Sequence, residues 1–499
     1  MPLQATMTLA TAAAATALAL ACNASSSSCP PSSIPGHGIY NGFHPPAGAA
    51  WNSYSYCNAP HVNAAHYPPP PSGSELVYVT SFQRHAKRTP DNLLPGADVE
   101  SYANPQSGWD CSNDYEVLNY ANGGHAGVRM KTEYSIPQWN PMRGRLWNGS
   151  CSSGQLTRAG WEDARMHGRD FMKVYGPEGL AQILGKHGQS DNDMCDSITV
   201  RASPSARTAQ VASAFLAGMG VCKKDLDGSQ HSKKLIVQPD TIDGIVPSYS
   251  CAHADSLRTA IEATPEWKRH LTDHAQVFDA LHESLPTTKG VEAWNSWIDH
   301  SFDLLTSRQC HGHSLPAGGP NAPAVNQSLV NQVYAAGDWE YDYIWNRASS
   351  ANDSSSGALA DEYVRYGTAV LVDELARDLK AVEEGRKGRP LVKLFVGHDG
   401  TMVRLLKTLA QSGTIRWPAL GSEVVFEVWR HHAAKDSEAG LFVRVFAYGT
   451  LLHSKADKLR TNNSSDRVEW TPLRDVIAHL ECRIPDDLVE RCTAAPSTS

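Results

Sequence analysis

The sequence predicts an α/β fold, a sheet flanked by helices with a mostly helical second domain inserted into it. Two observations carry that reading. Three short apolar runs each pass directly into charged residues, and helix-patterned segments lie between them. In open α/β sheets ligands bind outside the carboxyl ends of the strands, so three such strand ends predict one shared crevice. At 499 residues the chain is long enough for a two-lobed arrangement of this kind.

Taken in order, the chain opens on an alanine-rich apolar run over residues 7–21, followed by polar residues 23–28. The run is short for a membrane span, and Ala19 with Ala21 forms a small-x-small pattern. Residues 1–21 are therefore expected to be a cleaved signal peptide, although no Lys or Arg precedes the run. Residues 22–74 are rich in Ser, Pro, Asn and His, include Pro68-Pro69-Pro70-Pro71, and are expected to form an extended lead-in and not a folded unit. Leu76-Val77-Tyr78-Val79-Thr80-Ser81-Phe82 is β-branched and aromatic, the mark of a buried strand, and the charged segment from Arg84 follows at once. Ser197-Ile198-Thr199-Val200 likewise runs into Arg201, and Leu391-Val392-Lys393-Leu394-Phe395-Val396-Gly397 into His398-Asp399.

Helices are expected over residues 157–175, over 205–219 with Pro204 in the first turn, over 359–382, and from His398 to about residue 411. Further strands are expected around residues 424–428 and 441–447. Residues 256–305 place Trp267, Leu271, Val277, Leu281, Trp294 and Trp297 among polar positions and read as helical. The α/β domain is thus assigned to residues 75–204 and 340–499, and the helical insert to 205–339.

Hydrophobic residues at 41% and charged residues at 19% are those of a globular protein. The net charge of −8 excludes a broad basic footprint, so no nucleic-acid partner is expected, and an anionic ligand must meet a local basic pocket. No stretch after the leader reads as transmembrane, so no membrane partner is expected. Eleven cysteines without a CxxC pair fit an oxidising compartment, with Cys482 and Cys492 close enough for a local clip and the other pairings open. Asn148, Asn326, Asn352 and Asn463 begin N-glycan acceptor triplets, which together with the leader predict a secreted, extracellular glycoprotein. Cys310-His311-Gly312-His313 and His431-His432 lack a metal-ligand spacing and read as solvated surface histidines; no metal or other cofactor is expected.

The segment Arg84-His85-Ala86-Lys87-Arg88-Thr89-Pro90 carries the chemistry. Two guanidiniums four positions apart with an imidazole beside the first make a compact positive cluster. Arginine holds phosphate bidentately, and its permanent charge offsets the charge that grows in phosphoryl transfer. Nearby cations lower an imidazole's pKa and keep it a neutral nucleophile. The plain alternative is an ordinary basic loop after a strand. His398-Asp399 is a weak signal alone, since an Asp capping a solvated turn reads the same way. It gains weight from its place after an apolar strand and before a helix start at Gly400-Thr401-Met402.

These features together resemble the histidine acid phosphatases, the phytase-containing branch of the histidine phosphatase superfamily. The resemblance rests on Arg84 to Pro90 early, an Arg in Val200-Arg201-Ala202-Ser203 midway, and His398-Asp399 late. Gly154-Gln155-Leu156-Thr157 with Gly160, the segment 201–218 and Gly421-Ser422-Glu423-Val424-Val425-Phe426-Glu427 also look like family landmarks in family order, so that it spans roughly residues 76–492. It implies a phosphoglycerate-mutase-like fold with a central mixed sheet. It implies His85 as the nucleophile that becomes phosphohistidine, Asp399 as proton donor, and Arg84, Arg88, Arg201 and His398 as phosphate ligands. The substrate expected is a small-molecule phosphate monoester, cleaved by a metal-independent acid phosphatase, with phytase as the alternative. Two other readings stand beside it. A phosphoglycerate-mutase-like transferase shares the nucleophile but suits the cytosol, and a silent phospho-ligand binder is hinted at only by Ala86, where many relatives have Gly.

Overall fold

The computed structural model describes residues 48–70, 72–92, 94, 109–111, 137–139, 141, 151–186, 189–222, 233–246, 249–318, 321–350, 357–431, 440–460 and 466–493. The expected leader and three of the glycan acceptors, Asn148, Asn352 and Asn463, lie outside them; Asn326 is exposed.

The fold is mixed α/β, as the sequence predicts. Its elements are β1 (Ser74–Arg84), α1 (Arg158–Tyr175), α2 (Asp191–Asp196), β2 (Ile198–Ala202), α3 (Ala206–Met219) and β3 (Leu235–Ile236). A run of helices follows: α4 (Ala252–Glu262), α5 (Pro265–Asp273), α6 (Ala275–Ser284), α7 (Asp299–Cys310), α8 (Gln327–Asp342) and α9 (Ala358–Glu383). The chain then returns through β4 (Val392–Gly397), α10 (Asp399–Thr408), β5 (Glu423–His431), β6 (Gly440–Ala447), β7 (Thr450–Leu451), β8 (Thr471–Pro472), α11 (Leu473–Glu481) and α12 (Leu488–Thr493).

Among the described residues the strands form one sheet in the order β3-β2-β4-β1-β5-β6-β7, with β8 beside β6. The first four of these run parallel, and β5 turns the rest antiparallel. Alternation along each strand divides the sheet into two faces. Val200, Leu394 and Val425 pack with Phe171 of α1 and Phe215 of α3, whereas Phe82, Phe395 and Phe426 pack with Leu375 of α9 and Leu405 of α10. A third core, with Trp267, Phe302, Val333 and Trp417, belongs to the helical region. That region starts later than residue 205: α3 packs against the sheet with α1, and β3 pairs with β2. Pro204 precedes the N-cap Ser205 and does not lie in the first turn of α3.

The described part of the lead-in before β1, residues 48–70 and 72–73, has no helix or strand but is packed into the molecule from Ser55 onward, with Tyr56, Cys57, Val62 and Tyr67 buried. Its anchor is Cys57–Cys310, one of four disulfides among the described residues with Cys111–Cys151, Cys195–Cys222 and Cys251–Cys492. The expected Cys482–Cys492 clip is not formed. Cys492 reaches across to Cys251 on the helical region, and Cys482 is an exposed free thiol at the end of α11. The histidine pair near residue 311 also departs from expectation. His311 and His313 pack on the Trp109 ring at 4.6 and 4.2 Å and are half-buried.

One buried pair sets a pH dependence of stability. His270 Nε2 lies 2.8 Å from Glu340 Oε1, and Ile298 N donates to Glu340 Oε2. Burial raises Glu340 to about 8 and lowers His270 to about 4, so the pair is neutral and the carboxyl donates to the imidazole. Their ordinary values are 4.5 and 6.5. Between pH 4.5 and 8 folded Glu340 keeps a proton the unfolded chain has lost, a contribution that falls as pH rises. Between pH 4 and 6.5 folded His270 lacks a proton the unfolded chain holds, a contribution that rises. The two cancel over most of the acidic range and leave a net loss from pH 6.5 to 8. Across that interval the melting temperature of wild type is expected to fall relative to that of Glu340→Gln as pH rises; a constant difference would contradict a protonated Glu340.

Candidate active site

The parallel pairing of β1 with β4 builds the site. Its register sets Arg84 against Gly397, so that the next residues, His85 and His398, leave the sheet side by side. His85 N donates to Gly397 O at 3.0 Å, Gly421 N donates to His85 O at 3.1 Å, and the two imidazole centroids are 5.6 Å apart at 71°. His85 Nδ1 is 3.0 Å from the Ala86 carbonyl. A carbonyl only accepts, so that contact assigns the proton to Nδ1 and leaves the lone pair of the neutral ring on Nε2.

Burial and then the guanidiniums of Arg207, Arg84 and Arg88 hold His85 well below the usual histidine range. Burial and Arg207 likewise hold His398 at about 3, against the opposing pull of Asp399 and Asp91. Ser203 Oγ bridges His398 Nε2, at 2.8 Å, to Thr208 Oγ1, at 3.0 Å.

Each cation is paired. Arg84 Nη2 meets Asp399 Oδ2 at 2.9 Å and Tyr56 Oη at 3.1 Å, while Nη1 donates to the Pro418 carbonyl. Arg88 Nη2 meets Asp303 Oδ1 of α7 at 2.9 Å and Asp91 Oδ2 at 3.1 Å. Arg207, in the first turn of α3, meets both oxygens of Asp91 at 3.1 and 3.2 Å. Asp399 opens α10 and also accepts from Trp417 Nε1 at 2.9 Å, and Trp417 is stacked on Phe302 and Tyr341, each at 4.0 Å. Burial raises the Asp399 pKa, but Arg84, the Trp417 N–H, Arg88 and His398 outweigh it and bring the carboxyl to about 2. Unliganded, it is a carboxylate.

A family model described as the histidine phosphatase superfamily, branch 2, matches residues 75–447. The chain belongs to that branch. Counting factor 60 of Dictyostelium discoideum is 25% identical over 388 residues, which are 75% of this chain and 80% of that protein. Among solved structures, the phytase from Citrobacter braakii is similar with a TM-score of 0.51 at 14% identity, covering 84% of this chain and 100% of the phytase. A Hafnia alvei phytase gives 0.49 at 13%, covering 84% and 99%. The likeness to the Citrobacter braakii phytase is one of fold.

In this histidine phosphatase the structure brings Arg84, His85, Arg88, His398 and Asp399 together, but not Arg201. Val200 and Ala202 face α1 and α3, so Arg201 between them faces the opposite layer. There its Nη1 and Nη2 meet Asp243 at 3.1 and 2.7 Å, both side chains fully buried. Arg207 takes the place expected of it. The usable signal in the sequence was position, since Arg207 lies beyond the strand end, in the first turn of the next helix, where Arg201 is still inside the ladder. Lys87 is turned away to Asp163 of α1 at 3.0 Å, and Ala86 is buried in the cluster of Leu156 and Ala164. Its backbone is not left-handed, so the residue fits without strain. Gly160 lets α1 approach this loop: a Cβ there would lie 2.0 Å from the Lys87 carbonyl oxygen. Among the described residues no group of three or more His, Cys, Asp or Glu is placed to hold a metal.

Since Arg207 is the leading cation acting on both imidazoles, its removal must raise both pKa values. In protein labelled with nitrogen-15 at histidine, His85 and His398 are expected to stay neutral at about pH 5, where an ordinary imidazole is charged. Arg207→Gln should move both titrations upward. Unmoved titrations in that variant would show that Arg207 does not act on the pair.

Proposed function

We propose that this histidine phosphatase is a secreted acid phosphatase that hydrolyses phosphate monoesters through a phosphohistidine on His85, without a metal. The observation that carries the reading is a neutral, buried imidazole with its lone pair on Nε2, ringed by Arg84, Arg88 and Arg207. His85 Nε2 attacks phosphorus, and the phosphorus–oxygen bond to the leaving group breaks as that oxygen takes a proton from Asp399. Water then attacks the phosphohistidine, gives a proton to Asp399, and the phosphorus–nitrogen bond breaks to restore neutral His85. Asp399 is ionised in the unliganded site, so the proton has to arrive with substrate. A phosphate monoester binds its second proton near pH 6, and as a monoanion it carries the proton in and shares Arg84 with Asp399. Such a cycle runs best under acidic conditions, where His85 stays unprotonated because its pKa is depressed. The guanidiniums and His398 bind the phosphoryl oxygens, and three arginines suit the charge that develops there.

A broad range of single-phosphate esters is the first reading of substrate, because each arginine of the described site already faces a carboxylate. Hydrolysis of phytate is the second, and comparison of phosphate release from an aryl phosphate and from phytate decides between them. Secretion is supported by the alanine-rich leader, by the disulfides and by the exposed acceptor Asn326. No helix among the described residues is long and apolar enough to cross a membrane.

His85→Ala is expected to lower kcat by at least about a thousandfold, the scale of losing a nucleophile, while a chelator leaves the rate unchanged. Asp399→Asn is expected to slow an alkyl phosphate by about a hundredfold or more and a 4-nitrophenyl ester far less, since the latter leaves without a proton. Full turnover by the His85 variant would sink the mechanism, and equal losses on both esters would remove Asp399 from the donor role.

A further inference from the structure

Asp91 lies one residue beyond the Arg84–Pro90 segment, and nothing in the reaction above uses it. Its carboxylate faces the Arg207 guanidinium through both oxygens, at 3.2 Å from Nη1 and 3.1 Å from Nη2, and its Oδ2 also meets Arg88 Nη2 at 3.1 Å. A carboxylate engaged in this way presents to a guanidinium the same pair of oxygens that a phosphoryl group would. Asp91 also acts electrostatically on His398, which puts it within the field of the reacting groups.

We propose that Asp91 is an internal anion that occupies the Arg88–Arg207 fork in the unliganded protein and is displaced by the phosphoryl group of the substrate. It thereby weakens phosphate binding and returns to expel product phosphate. This rests on the phosphatase reading above and adds to it a residue that sets affinity for both ester and product.

Three features fit displacement better than a fixed structural role. The side chain is 34% exposed, against 8% for Arg88 and 19% for Arg207, so the carboxylate is the member of the cluster most open to solvent. Its backbone stays anchored when the side chain swings, because Asp91 N donates to Asp303 Oδ2 at 2.7 Å and Ser153 Oγ donates to the Asp91 carbonyl at 2.6 Å. Arg88 keeps Asp303 as a counter-charge after Asp91 leaves, while Arg207 is released toward an incoming anion. Gly154 provides the space in which the pair forms. A Cβ there would lie 1.8 Å from Asp91 Oδ1 and 2.9 Å from Arg207 Nη1, and the residue has φ +65.

Two anions cannot share one fork without repulsion, so removing the charge of Asp91 must favour phosphate, whereas removing a mere tether of Arg207 must disfavour it. The opposite signs make the test. Asp91→Asn, Asp91→Ala and Asp91→Glu are compared with wild type at pH 5 for inhibition by inorganic phosphate and for KM and kcat with 4-nitrophenyl phosphate, and phosphate binding is also read directly by calorimetry. The proposal expects the phosphate constant and KM of Asp91→Asn to fall by about three- to fivefold, the scale of one partly exposed ion pair. Asp91→Glu, which keeps the charge, should stay near wild type. Constants that are unchanged or raised in Asp91→Asn overturn it, and so does a fall matched by Asp91→Glu. If Asp91→Asn is unfolded by circular dichroism, Asp91→Ala and Asp91→Glu decide by the same signs. If wild type binds phosphate but turns over no ester, the phosphatase reading fails while the calorimetric comparison still decides the role of Asp91.

Discussion

Three guanidiniums are packed around one imidazole in a site almost closed to water, and the rest of the molecule answers to that constraint. A buried charge is costly unless it is paired and hydrogen-bonded. Arg84, Arg88 and Arg207 are therefore each met by a carboxylate, from Asp399, from Asp303 with Asp91, and from Asp91. The pairing keeps the cations buried without cancelling their effect on His85, whose pKa stays depressed by burial and by their combined field. Under the proposed function the phosphoryl group of the substrate, with more oxygens than a carboxylate, competes with these side chains for the guanidiniums.

The partners of this cluster come from parts of the chain that the sheet alone does not control. Tyr56 of the lead-in lies against Arg84, with the guanidinium carbon 5.1 Å from the ring centroid. Asp303 comes from α7 in the helical region and Trp417 from the segment before β5. Cys57, next to Tyr56, is bonded to Cys310 at the end of α7, so a single disulfide ties two of these contributors together across a sequence separation of 253 residues. Phe302 of α7 packs on both Tyr56 and Trp417 and joins all three to one aromatic group. The helical region therefore acts as a wall of the site as well as a separate core.

The strand ends were legible in the sequence because a buried strand leaves an uninterrupted apolar run. Arg84-His85 and His398-Asp399 follow such runs, and the β1–β4 register places them together. Arg201 follows one too, yet the run of β2 continues through Ala202, and strand alternation turns Arg201 to the far face. A hydrophobic run marks where a strand is without marking its last ladder pair, which is why one arginine was placed for another. Asp303 and Asp91 carried no such signal, since a lone carboxylate on a helix or loop reads as solvated until the fold sets it against a cation. The same limit applies to Cys492. Nearness in sequence favoured Cys482, but the packing of α12 against α4 decided for Cys251.

The central claim is that His85 Nε2 is the atom that takes the phosphoryl group. The most direct measurement is a rapid alkaline quench of the protein during turnover of a phosphate ester, followed by peptide mapping and mass spectrometry. The account predicts one phosphorylated peptide, with the phosphoryl group on His85, stable in alkali and lost in acid. A phosphoryl group on any other residue would contradict it, and so would a turning-over enzyme that never carries one.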